Sequence, residues 1–162
     1  MLYWVLAAFS AGIFEEGGRW LLFRRFLKNS SPIDALAFGI GHGGTEAFLL
    51  VGLNAVLLPW MGGLTAVTVS GGEFLLSGME RLLAMSAHLA WSVMVWRGVT
   101  AGKAGFLFVA VGSHGLFDLL PPVLLALSGS VWITEGAVAG MAAVLVIFMG
   151  MILRQSKKEN RI

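Results

Sequence analysis

Ten ionisable side chains fall at helical spacing inside otherwise apolar sequence. Glu15 and Arg19 are four residues apart in Ala11–Arg19, AGIFEEGGR, with Glu16 beside them. His42 and Glu46 repeat the four-residue spacing, as do His114 and Asp118, while Arg81 and His88 lie seven apart with Glu80 adjacent. Such spacings put both members of a pair on one face of an α-helix. All three histidines of the chain belong to these faces. Neutral imidazole is the commonest metal ligand, and three histidines with a carboxylate or water make a tetrahedral, zinc-type site. His42, His88, His114 and Glu46 are therefore candidate ligands of a divalent metal, with zinc the first choice. Water bound to such an ion has a pKa near ~7 and can attack an amide. Glu15 or Glu16 would take its proton, and Arg19 or an unused histidine would stabilise the oxyanion. Adjacent buried carboxylates also suffice for general-base hydrolysis without a metal.

The elements that must position these groups are membrane helices. The 162 residues are 57% hydrophobic and 12% charged, which excludes an ordinary soluble domain. Five apolar stretches have bilayer-crossing length, at about Leu2–Phe26, Ile33–Leu58, Leu75–Trp96, Gly105–Leu127 and Val131–Leu153, followed by a basic tail over 154–162. The expected fold is an all-α, polytopic bundle of about five transmembrane helices, forming one domain. The first span reads as a retained helix, since it lacks a basic start and carries Glu-Glu where a signal sequence is apolar. Trp60–Gly72 reads as a Gly/Thr-rich connection, re-entrant or interfacial. A charge at the centre of a span costs roughly 2.5–3.5 kcal/mol by insertion scales, so such residues face a bundle interior. The first four spans each carry a polar face, and those faces reach similar depth. They can avoid lipid only by facing each other.

Other features have structural readings. Asp34, Ser30 or Ser31 caps the second span; Glu73 and Glu135 are interfacial; Glu80–Arg81 is an ion pair near the end of its span. Gly39, Gly41, Gly43 and Gly44 have no strand around them and so make no dinucleotide site; they let another helix approach and leave room around His42. Pro121 and Pro122 bend the fourth span beside the site or simply kink it. The tryptophans anchor span ends at the interface. With no cysteine, disulfides and thiolate metal sites are excluded. No basic patch with interleaved aromatics points to nucleic acid. Arg24, Arg25 and Lys28 follow span one, Arg97 and Lys103 follow span three, and the basic tail follows span five, whereas the other two connections lack Lys and Arg. The positive-inside rule then puts the N-terminus outside and the C-terminus in the cytoplasm.

At these motifs the chain resembles the YhfC family of intramembrane metalloproteases. More distantly it resembles the CAAX-prenyl protease and bacteriocin-processing (CPBP) enzymes and PrsW-type proteases. Their pattern is EExxxR, then FxxxH, then HxxxN or HxxxD, each on its own helix. Here EEGGR (Glu15–Arg19) matches with one residue fewer, FGIGH (Phe38–His42) fits the second motif and HGLFD (His114–Asp118) the third. GHGGTE (Gly41–Glu46) and the Glu80-Arg81 pair, separated from His88 by six residues, point to the YhfC branch.

The resemblance covers Ala11–Asp118. It implies a peptidase of the prokaryotic plasma membrane acting on a membrane-embedded or juxtamembrane peptide. Glu15 would activate water with Glu16 as its partner, and His42 and His114 would be ligands or oxyanion stabilisers. Asp118 would orient the site and His88 would be an added ligand. The shortened first motif moves Arg19 onto the face of Glu15, away from its family position. Relatives carry further helices before the first motif, so self-association to a homo-oligomer is one way to complete the bundle. A non-catalytic scaffold of the same fold, as in a subunit of gamma-secretase, is the main alternative. A proton, ion or solute transporter is the other, against which the short chain and the lack of inverted repeats count.

Overall fold

The computed structural model describes residues 1–61 and 70–159. Six α-helices follow in order: α1 (Leu2–Arg25), α2 (Pro32–Ala47), α3 (Leu53–Met61), α4 (Gly71–Thr100), α5 (Gly105–Ser128) and α6 (Val131–Glu159). A five-residue π-helical turn, Phe48–Gly52, joins α2 to α3, so these pieces form one continuous rod and the bundle has five rods. Among the described residues there is no strand. Four rods, including the one running from Pro32 to Leu57, are long and apolar enough to cross a membrane. The remaining rod, α1, has 24 residues and carries Glu15, Glu16, Arg19, Arg24 and Arg25. The protein is a multi-pass integral membrane protein. Its outer belt of Leu6, Phe14, Phe108, Leu116, Trp132, Val144 and Ile147 is exposed, as lipid-facing side chains are.

Local chemistry sets the ends of these helices. Ser31 caps α2 in a reciprocal box with Asp34, and Pro32 occupies the first turn, where its missing N–H costs nothing. Ser70 and Glu73 make the same box on α4, so Glu73 is a capping residue. Gly129, at φ 64°, ends α5 in the left-handed conformation that glycine adopts without strain.

Several boundaries differ from those expected. The second rod runs past Pro59 to Met61, because a proline removes one hydrogen bond of the turn before it without ending the helix. Pro121 and Pro122 likewise lie inside α5. The basic tail begins as helix, since α6 continues to Glu159, whose carboxylate receives Arg97 Nη2 at 2.6 Å. Of the expected Trp60–Gly72 connection, residues 62–69 lie outside the described residues.

Helix α4 is the axis of the bundle, touching α1, α2, α5 and α6. From Ala90 to Trp96 every residue is buried, as expected of a helix enclosed on all sides. Glycines bring its neighbours close enough to meet. A Cβ on Gly39 of α2 would lie 2.7 Å from Leu89 Cα, and one on Gly43 would lie 3.1 Å from Met85 Cα. At the other seam, a Cβ on Gly12 of α1 would lie 2.8 Å from the Val111 carbonyl oxygen of α5. Gly41 and Gly44 face open space. The small-residue seam expected of the glycine run is therefore made by Gly39 and Gly43.

Gly39→Ala must push α2 away from α4, and we expect it to cost about 1–3 kcal/mol of stability. Gly41→Ala meets nothing and should be neutral or stabilising by up to about 1 kcal/mol through helix propensity. Thermal or SDS unfolding of the two variants in one detergent measures the contrast. Equal stabilities would contradict the close seam.

Candidate functional site

The polar faces of α1, α2, α4 and α5 converge, and their side chains sort into a buried layer and an open one. The buried layer starts with Glu16 and Arg19, whose side chains are both 0% exposed. Arg19 Nη1 donates to Glu16 Oε1 and Oε2, each at 2.7 Å. Although the spacing puts Arg19 on the helix face of Glu15, its guanidinium pairs with Glu16. Arg19 turns to its neighbour three positions back because a guanidinium with no access to water needs the carboxylate buried with it. Arg19 Nη2 donates to His88 Nδ1 at 3.3 Å, and its Cζ sits 5.7 Å from the centre of the Phe38 ring.

His114 is the other partner of Glu16, donating from Nδ1 to Oε1 at 2.8 Å. Trp91 stacks on the His114 ring with centroids 4.1 Å apart and planes 6° from parallel, and Trp91 Nε1 donates to Ser113 Oγ at 2.9 Å. Trp91 lies in the middle of α4, not at a span end, and sequence reasoning missed its place in the site. The available signal was its position three residues after His88, on the same helix face.

The open layer holds Glu15, His42 and Glu46, with side-chain exposures of 30%, 29% and 32%. His42 Nε2 donates to Glu15 Oε2 at 2.8 Å, and His114 Nε2 lies 3.8 Å from the same oxygen and 3.5 Å from Asp118 Oδ2. Glu46 is held from two turns of α4: His88 Nε2 donates to its Oε2 at 2.6 Å and Arg81 Nη1 to its Oε1 at 3.3 Å. Arg81 also donates to Glu80 at 2.8 Å. The seven-residue spacing of Arg81 and His88 thus serves one carboxylate on the neighbouring helix. An open groove of ≈ 550 Å³ along α2, lined by Phe38, Gly41, His42, Thr45, Glu46 and Leu49, exposes the site on one side. A more polar pocket of ≈ 310 Å³, reaching Glu46, Glu80, Arg81, His88, Asp118 and Pro121, adjoins it on the other.

One donor atom each from Glu15, His42, Glu46 and His88 lies within 4.8 Å of the others. Two imidazoles and two carboxylates suit zinc or a similar divalent ion. The charge balance points the same way. Five carboxylates (Glu15, Glu16, Glu46, Glu80, Asp118) meet two guanidiniums (Arg19, Arg81), an excess of three negative charges before any histidine is protonated. The residues present fit a cation. This grouping departs from the expected ligand set, since Glu15 joins it and His114, anchored to Glu16, does not.

The sequence matches the family described as YhfC intramembrane metalloprotease over residues 1–66 and 64–141. It is 33% identical over 147 residues to the uncharacterized membrane protein YhfC of Bacillus subtilis (strain 168), a match covering 75% of this chain and 57% of that protein. The chain thus spans little more than half the length of the curated relative it matches. No solved structure matches.

The buried pair yields a test of its own. Arg19→Met leaves Glu16 without a counter-ion and should lower stability by about 3–5 kcal/mol. Adding Glu16→Gln should recover a large part of that loss. Unfolding the two single variants and the double variant completes the cycle; additive losses would contradict a direct pair.

Proposed function

The chain belongs to the YhfC intramembrane metalloprotease family, and from that premise we propose that it hydrolyses a peptide bond within or beside the membrane. The observation that carries this reading is a partly exposed carboxylate, Glu15, hydrogen-bonded to His42, which itself lines an apolar groove along α2. Its sequence neighbour Glu16 is by contrast fully buried and paired. Glu15 is instead left accessible at a cost that a purely structural residue would avoid.

In this reading Glu15 is the general base. Its Oε2, which accepts from His42, is the oxygen that would face an ion, and the second oxygen, free of protein partners among the described residues, takes the proton. A water beside it loses a proton to Glu15 as its oxygen attacks the scissile carbonyl carbon. The proton then passes to the leaving nitrogen, so one water and one amide give a carboxylic acid and an amine. His114 faces the same carboxylate and is fixed by Glu16, which places it to stabilise the developing oxyanion. Asp118 lies against His114 Nε2 and orients it. Glu46 and His42 would hold a divalent ion together with Glu15, with zinc favoured by the donor chemistry. Such an ion supplies Lewis-acid polarisation of the carbonyl. The substrate is a membrane-embedded or juxtamembrane peptide lying in the groove of α2, and the basic ends of the helices face the cytoplasm.

Glu15→Gln should reduce cleavage of a membrane peptide substrate by at least about 100-fold while leaving the unfolding transition in place. The purified protein should carry about one divalent ion per chain, and a chelator should abolish cleavage. Full activity of a folded Glu15→Gln variant would overturn the general-base role.

A further inference from the structure

The hydrogen bonds to His88 determine which of its nitrogens carries a proton, and that bears on which residues of the four-member cluster can bind an ion. Arg19 is a donor only, so the contact between Arg19 Nη2 and His88 Nδ1 at 3.3 Å requires a lone pair on Nδ1. A carboxylate accepts only, so the 2.6 Å contact between His88 Nε2 and Glu46 requires a proton on Nε2. Both conditions are met by one species, the neutral Nε2–H tautomer. The alternative is costly. Arg19 Nε is buried with no acceptor already. A proton on His88 Nδ1 would face a second N–H of the same buried cation and leave that donor orphaned too.

We propose that Arg19 is a positioning residue that locks His88 in the Nε2–H form, so that His88 holds Glu46 and does not itself bind the ion. This rests on the reading of the cluster as a metal site, and it divides the four residues into unequal roles. Coordination through His88 Nε2 would move its proton to Nδ1, against Arg19. His42 has no such restraint, because its Nδ1 has no hydrogen-bond partner among the described residues. It can carry its proton there and present Nε2. Glu15, His42 and Glu46 then form the ligand set, three protein groups with a position left open, as in catalytic zinc sites. His88 acts on Glu46 from outside, as partners of ligating carboxylates do. His88 is buried at 2% exposure whereas the three ligands are open, which agrees with this division.

Long-range ¹H–¹⁵N correlation spectra of ¹⁵N-histidine-labelled protein in detergent, recorded at neutral pH with a chelator, read the tautomers directly. We expect His88 as Nε2–H; a proton on its Nδ1, alone or as imidazolium, would overturn the assignment. Adding Zn²⁺ should turn the His42 Nε2 resonance into that of a metal-bound nitrogen while His88 keeps its Nε2 proton. Loss of that proton to zinc would also overturn it. If zinc fails to bind while the tautomer stands, the metal part of the proposed function fails and the lock survives. In a folded Arg19→Met variant, Zn²⁺ should be able to take His88 Nε2, with the proton moved to Nδ1; a His88 that keeps its Nε2 proton there with zinc bound would remove the role of Arg19. Arg19→Lys, which keeps a donor, should restore the Nε2–H form.

Discussion

A full positive charge buried in the middle of a membrane bundle constrains everything near it. Arg19 has no exposed side-chain surface, and its partner Glu16 has none either. A buried ion pair is tolerated only when good geometry and further hydrogen bonds complete it. Those further bonds run to His88 on α4 and to His114 on α5, and each fixes one nitrogen of an imidazole. Close helix approach is what brings these partners within reach. Gly12 admits α5, and Gly39 and Gly43 bring α2 against α4 beside His88. Trp91 then covers the His114 ring. The glycine seams, the ion pair and the aromatic stack form one packing solution.

The consequence is a chain of contacts that crosses three helices. Glu16 holds Arg19, Arg19 touches His88, His88 holds Glu46, and Arg81 and Glu80 complete the line from the far side. Glu15, one residue before Glu16, pairs instead with His42 and stays partly exposed. The two glutamates that begin as neighbours in sequence are thus separated by environment. One anchors the scaffold. The other is partly exposed and keeps one oxygen without a protein partner among the described residues, as the proposed base requires. The π-helical turn that begins two residues after Glu46 widens the rod at that point, and Leu49 and Leu50 from it line the two cavities that meet at Glu46.

Much of this was legible in the sequence, for definite reasons. Apolar runs of bilayer length reveal the rods, and charged residues inside them must turn inward, so the convergence of four polar faces followed from depth alone. Which glutamate lies inside did not follow. Glu15 and Glu16 are about 100° apart on the helix, and only the identity of the neighbours of α1 decides between them. The choice of Glu16 by Arg19 and the anchoring of His114 away from the ligand cluster follow from that same unknown. Trp91 was concealed by the general preference of tryptophan for interfaces. The π turn left no trace, because Phe48–Gly52 reads as ordinary apolar helix.

A buried Glu16–Arg19 scaffold holds a partly open cluster whose donors fit a cation. An anomalous difference map from zinc-soaked crystals grown in a lipid phase tests it most directly. A single peak is expected in contact with Glu15, His42 and Glu46, with Arg19 still seated on Glu16 and His88. A map with no peak among these residues, or with Glu15 turned away from His42 and Arg19 drawn out to Glu15, would contradict it.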